Sequence, residues 1–207
     1  MFRIGVLVSG GGTNLQAILD AVAAGDLPVE VALVVSNRPE VFALERARRH
    51  NVPTVVVPFA DYSGRKSHEA AVVRELDRAG VNLVVLAGYD RVARDSLLSA
   101  YAGRIINVHP ALLPAFAGTL HAQEEALAYG VKITGCSVHF ATAEVDAGPI
   151  VVQRAVEVRD DDTVDSLKAR ILAEEHRALP EAIRLIATGR ARIEGRRVRI
   201  SVESQGG

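Results

Sequence analysis

Asn107 and His109 stand two residues apart in Ile105-Ile106-Asn107-Val108-His109-Pro110. On a strand this spacing puts both side chains on one face and Val108 on the other. Pro110 biases His109 toward extended backbone, so the shared face should persist to the strand end. An amide and an imidazole side by side form a donor pair able to meet a developing oxyanion. The competing reading is a structural histidine that closes the strand. Asp146 lies in Glu144-Val145-Asp146-Ala147-Gly148-Pro149. A carboxylate brought beside His109 would favour the imidazolium and orient the ring. A loop Asp before Ala-Gly-Pro is also a common turn residue, and spacing alone does not choose between the two.

Ser9-Gly10-Gly11-Gly12-Thr13-Asn14 joins the first apolar run to the first helical pattern. Helix N-terminal N–H groups are unpaired, and the helix dipole favours negative charge there. Glycines let that backbone approach a phosphate, with Thr13 and Asn14 as further donors. A tight turn that binds nothing is the alternative. The loop lacks the Gly-Lys-Ser/Thr ending of a triphosphate loop, and Leu15 stands where a dinucleotide fingerprint has its third glycine. The second strand ends in Ser36-Asn37-Arg38, with no acidic residue to hold a ribose. A small phosphomonoester fits better than a nicotinamide cofactor.

Leu167, Ile171, Leu179, Ile183 and Ile186 mark an apolar stripe late in the chain, and Glu175 falls on it. A carboxylate on a core face needs a partner or a ligand, unless it reaches water at the helix rim. Pro180 frees the carbonyl of His176, so a kink or break is expected there. No His-Glu-x-x-His or Cys-x-x-Cys spacing supports a metal site. His139 alternates with Cys136, Val138 and Phe140 and should face away from them. His121 follows a Pro-rich loop and is placed to border a pocket, while His50, His68 and His176 read as surface residues.

The elements that must hold these groups alternate. Apolar runs at residues 1–9, 29–35, 54–57, 83–87 and 105–108 read as strands. Helical patterns fall between them at 15–22, ahead of a stop signal at Gly25, and at 42–50, 66–79 and 95–101. Such alternation predicts a mostly parallel α/β sheet flanked by helices. After Pro110 two longer strands, 133–140 and 150–158, are placed to pair antiparallel. A helix from about 163 to 188 and a hairpin across Gly195, within 191–202, complete the chain. With 207 residues, 49% apolar and 24% charged, one domain is the simplest reading. It divides into a half of about 1–109 and a half of about 110–207.

Charge is balanced, 24 Lys+Arg against 25 Asp+Glu, so nothing draws the chain to nucleic acid or an anionic membrane. The one cysteine, Cys136, excludes an internal disulfide framework. No run approaches 18 apolar residues, and the first residues lack a signal-peptide pattern, so a cytoplasmic location is expected.

Together Ser-Gly-Gly-Gly-Thr-Asn-Leu-Gln-Ala-Ile at 9–18, Leu-Ala-Gly-Tyr at 86–89, Asn-Val-His-Pro-Ala-Leu-Leu-Pro-Ala-Phe at 107–116, Gly-Cys-Ser-Val-His-Phe at 135–140 and Val-Asp-Ala-Gly-Pro-Ile at 145–150 carry a resemblance. From about residue 2 to 200 the chain resembles the phosphoribosylglycinamide formyltransferases, a branch of the folate-dependent formyltransferases. The Asn-x-His-Pro-x-Leu-Leu-Pro string with a downstream Asp marks the wider group, and the glycine-Thr-Asn loop narrows it. The resemblance implies a Rossmann-like mononucleotide-binding N-terminal half. It implies formyl transfer from 10-formyltetrahydrofolate, a co-substrate, to the amine of glycinamide ribonucleotide in purine synthesis, without a metal.

Matched position by position, Asn107, His109 and Asp146 correspond to the catalytic trio. Gly12, Thr13 and Asn14 would hold the ribonucleotide phosphate, and Leu172, Ala173, Glu174 and Glu175 would bind that substrate from the late helix. Arg65, Asp90, Arg91, Val92, Ala93, Asn107, Thr142, Ala143, Glu144, Val145 and Asp146 would form the folate site. The implied mechanism is direct amine attack, with the oxyanion held by Asn107 and His109 and the proton relayed by Asp146. A cis peptide is implied at Leu113-Pro114. Asp90 stands where the family has an apolar residue, Ala143 replaces an acidic one, and Thr119-Leu120 carries an extra residue. Asp90 is expected at the pocket rim, contributing backbone groups, so that Asp90→Met preserves or improves folate binding. Monomer and homodimer both remain open.

Three other functions compete. A methionyl-tRNA formyltransferase would need a further tRNA-gripping domain, and a formyltetrahydrofolate deformylase a preceding regulatory domain but no phosphate loop. A non-catalytic ligand sensor on a similar scaffold has no use for an intact trio.

Overall fold

In the computed structural model, residues 1–201 are described. Strands and helices alternate as β1 (Phe2–Val8), α1 (Thr13–Ala23), β2 (Val29–Ser36), α2 (Phe42–Arg49), β3 (Thr54–Val56), α3 (Arg65–Arg78), β4 (Leu83–Leu86), α4 (Asp95–Ala100) and β5 (Ile105–His109). Then come α5 (Ala122–Tyr129), β6 (Ile133–Phe140), β7 (Ile150–Glu157), α6 (Val164–Ala187) and a hairpin of β8 (Ala191–Glu194) and β9 (Arg197–Ile200). Val202, the end expected for that hairpin, lies outside the described residues.

Seven strands form one sheet in the order β3-β2-β1-β4-β5-β6-β7. The first five pair parallel, and β6 and β7 add antiparallel. The central strands are apolar on both sides because both faces are covered. Ile4, Val6 and Val8 join α1, α2 and α6 in one core. Leu7 joins the core under α3 and α4 on the opposite face. Strand order reverses between β1 and β4, the crevice where open α/β sheets bind ligands.

One element differs from the sequence reading. Helix α5 was not expected; its weak amphipathic pattern gives little periodic signal, although Gly130 closes it with a left-handed φ of 80°. Helix α6 runs through Pro180 without a break. Leu167, Ile171, Leu179 and Ile183, on both sides of the proline, are fully buried. Packing of that stripe outweighs the lost backbone hydrogen bond. The N-terminus of α6 carries a capping box, in which Ser166 N–H donates to Thr163 Oγ1 at 3.2 Å and Thr163 N–H to Ser166 Oγ at 3.0 Å. No helix among the described residues is long and apolar enough to cross a membrane.

Candidate active site

The antiparallel register of β5 and β6 sets Asn107 opposite His139 and His109 opposite Ser137. Directly opposed residues share a face, as do residues two apart. All four side chains therefore converge at the carboxyl end of β5. Asp146 arrives from the loop between β6 and β7 with a left-handed φ of 51°, a conformation Asp tolerates better than most residues.

The Asp146 carboxylate is the hub. Its Oδ2 accepts the Gly118 N–H at 2.9 Å and lies 3.3 Å from His109 Nδ1. Its Oδ1 lies 3.4 Å from both His139 Nε2 and Asn107 Nδ2. Burial alone would raise the Asp146 pKa. The hydrogen bonds from His139 and Gly118 and the nearby His109 and His139 rings outweigh it and hold the carboxyl below its ordinary range. His109 also places Nε2 2.8 Å from the Phe116 carbonyl. Each nitrogen of its ring thus faces an acceptor, and only the imidazolium can donate to both. Both contacts of the Asn107 amide are 3.4 Å long, near the limit for a hydrogen bond, so its N–H groups remain available to a ligand.

A second layer fixes the loop that carries Phe116. Ser137 Oγ accepts the Leu113 N–H at 3.0 Å and donates to the Ala111 carbonyl at 2.7 Å. Gln153 donates to Ser137 Oγ at 2.9 Å and to the Leu113 carbonyl at 3.0 Å. The Leu113-Pro114 bond within this loop is cis.

Asn107, His109 and Asp146 line a cavity together with Asp90 to Ala93, Thr142, Val145 and His139. Arg65 lines an adjoining pocket that shares the 90–93 segment, where the Arg91 guanidinium lies 3.9 Å over the Phe59 ring. Ala143 and Glu144 are exposed and do not line the cavity. Asp90 has found donors: Asn37 Nδ2 at 2.7 Å, Ser9 Oγ at 3.0 Å and the Arg38 guanidinium. Burial pushes its pKa up, but these donors prevail and keep it below the ordinary carboxylate value.

On the far side of β1, the glycine loop meets α6. Asn14 donates to Glu175 Oε2 at 2.7 Å, and Asn14 Oδ1 is buried with no partner. Burial raises the Glu175 pKa, partly offset by Asn14 and Lys168. Gly12 has φ 71°, and a Cβ there would fall 2.6 Å from that of Ala43, which restricts the position to glycine. Thr13 is exposed at the start of α1. Of the α6 candidates, Glu175 hydrogen-bonds to this loop. Leu172 is half-buried, Ala173 is exposed and Glu174 pairs with Arg154 and Arg177.

The histidines divide differently from expectation. His139 does face away from Cys136, but that side is the site. Alternation gave its direction, and only the pairing of β6 with β5 shows what lies there. His68 is buried, not exposed, and its Nε2 donates to the Val57 carbonyl at 2.9 Å. His121 is exposed beside Glu124, and Gly118 to Leu120 border the cavity instead. The Cys136 thiol is buried and pushed up to about 12, which removes it as a nucleophile. Among the described residues no cluster of three or more His, Cys, Asp or Glu is placed to hold a metal ion.

The formyl transferase family matches residues 2–183. The phosphoribosylglycinamide formyltransferase of Escherichia coli K12 is 39% identical over 191 residues, 92% of this chain and 90% of that protein. The trifunctional purine biosynthetic protein adenosine-3 of Drosophila melanogaster is 42% identical over 193 residues. That match takes in 92% of this chain, which spans 14% of the trifunctional protein's length. Glycinamide ribonucleotide transformylase 1 from Symbiobacterium toebii superposes with a TM-score of 0.95 at 56% identity, covering 97% of this chain and 94% of that one.

Proposed function

The chain belongs to the formyl transferase family, and on that premise we propose that it moves the formyl group of 10-formyltetrahydrofolate to the amine of 5-phosphoribosylglycinamide. The products are formylglycinamide ribonucleotide and tetrahydrofolate. The observation that carries this reading is the convergence of Asn107, His109 and Asp146 on one wall of a cavity whose other wall is the 90–93 segment.

The ribonucleotide phosphate sits at the N-terminus of α1, on the backbone of Gly12, Thr13 and Asn14, where dipole and free N–H groups favour an anion. Glu175 holds the same substrate from α6, which gives its buried carboxylate a purpose. The formyl folate enters between residues 90–93 and 142–146, with Arg65 and Arg91 at the outer pocket. The substrate amine attacks the formyl carbon, and the formyl oxygen takes the negative charge. The Asn107 amide donates to that oxyanion, and the charge of the His109 imidazolium, its N–H groups turned to Asp146 and the Phe116 carbonyl, stabilises it through space. Asp146 orients the ring and takes, through water, the proton the amine loses. Collapse expels the folate nitrogen, which takes up that same proton from Asp146 through the water, so the carboxylate is restored. His139 is a positioning residue, holding Asp146 Oδ1 beside Asn107.

The test is the absorbance change of a 10-formyl folate with and without glycinamide ribonucleotide. Turnover only with the ribonucleotide is expected. Turnover without it would make the protein a deformylase, and no turnover in either case would make it a ligand sensor.

A further inference from the structure

Asp90 follows β4 at the point where strand order reverses, and its carboxylate collects groups from two other strand ends. Ser9 follows β1 and opens the glycine loop, and Asn37 follows β2. The Asp90 N–H donates to Ser9 Oγ at 3.0 Å, and the Ser9 N–H to the Gly88 carbonyl at 3.1 Å. The single Ser9 hydroxyl proton has two acceptors, Asn37 Oδ1 at 2.6 Å and Asp90 Oδ1 at 3.0 Å, so it serves one at a time. The Asn37 Nδ2 to Asp90 Oδ1 bond at 2.7 Å is therefore the firmest link.

Burial ranks the partners. Ser9 and Asn37 are 7% and 6% exposed, whereas the Arg38 side chain is 60% exposed. Exposed ion pairs contribute little. A buried amide left without its acceptor costs about 1–3 kcal/mol. The segment beyond is anchored elsewhere. Arg91 stacks on Phe59, and the Glu69 carboxylate accepts the Arg94 and Leu97 N–H groups at 2.9 and 3.3 Å. Between Gly88 and Arg91, Asp90 is the residue whose side chain ties this wall to β1 and β2.

We propose that Asp90 is a positioning residue for the folate site. Its side chain fixes the 88–93 wall to the ends of β1 and β2, so that the wall is preformed when the formyl folate arrives. This rests on the formyl-transfer reading. It reverses the expectation that Asp90→Met preserves or improves folate binding, because a thioether is only a weak acceptor for the Asn37 amide.

The experiment is a cycle of Asp90→Met, Asn37→Ala and the double variant, with kcat, both KM values and the melting temperature measured for each. Asn37 does not line the folate cavity, so it reports on the tether alone. Asp90→Met should raise the folate KM about tenfold, the equivalent of about 1.4 kcal/mol, with kcat held within about threefold. Asn37→Ala should do the same, and the double variant should add less than about twofold to either. Asp90→Asn keeps the acceptor and should restore most of the loss. An unchanged folate KM in Asp90→Met would overturn the proposal. So would an unaffected Asn37→Ala with multiplicative losses in the double, since Asp90 would then act on the folate directly. If Asp90→Met does not fold, Asn37→Ala decides alone: a raised folate KM supports the tether and an unchanged one removes it. Wild-type turnover is measured first, and its absence removes the formyl-transfer reading rather than the tether.

Discussion

His109 and Asp146 work as a unit only if their 3.3 Å contact persists with substrate bound. Asp146→Asn keeps the size and removes the charge, so kcat should fall on the order of 10²–10³ with a smaller change in ribonucleotide KM. The double change with His109→Asn should cost much less than the product of the single losses. Strictly multiplicative losses would separate the two residues. Glu175 makes the opposite trade. Its pKa is raised, so from the ordinary carboxylate range upward the folded state binds more protons than the unfolded state, and stability falls as pH rises. Glu175→Gln should therefore raise the melting temperature at pH 7, the more so because its amide can donate to the unpartnered Asn14 Oδ1. It should also weaken ribonucleotide binding. A variant that melts lower at pH 7 and binds normally would contradict both halves.

At the scale of elements, the strand pair β5–β6 and the loop from 110 to 116 decide the site. Ser137, opposite His109, holds that loop through Leu113 and Ala111 and so keeps the Phe116 carbonyl on the His109 ring. Ser137→Ala leaves the buried Leu113 N–H without its acceptor. It should lower stability by about 1–3 kcal/mol in chemical denaturation and lower kcat more than it raises either KM. Equal kcat with lost stability would mean the loop has no part in turnover. Asn107 and His109 were legible as a pair because period-2 geometry is local. Ser137, Gln153 and His139 were not, because their partners come from other strands and register is not written in either strand alone.

For the molecule as a whole, acid is the revealing variable. Burial opposes ionisation of Asp90 and Asp146, but Asn37, Ser9 and Arg38 in one case and His139, Gly118 and His109 in the other hold both carboxyls below their ordinary range. A depressed folded pKa gives stability that is fully present above the unfolded value and is lost as pH falls through the folded one. Urea denaturation should therefore show stability dropping as pH falls from about 4 further into acid, with a shallower fall in Asp90→Asn. A wild-type curve flat over that range would mean these contacts do not survive in solution. The sequence by itself determined the alternation of strands and helices, the glycine loop and the Asn-His spacing. Each of these is a local pattern of apolar period, turn chemistry or side-chain direction. The tertiary structure alone decided that Asp146 reaches His109, that His139 joins them, that Asn14 meets Glu175 161 residues away, and that Asp90 turns to Ser9 and Asn37. These contacts depend on which strands become neighbours and in what register, and that is set by burying both faces of the sheet at once.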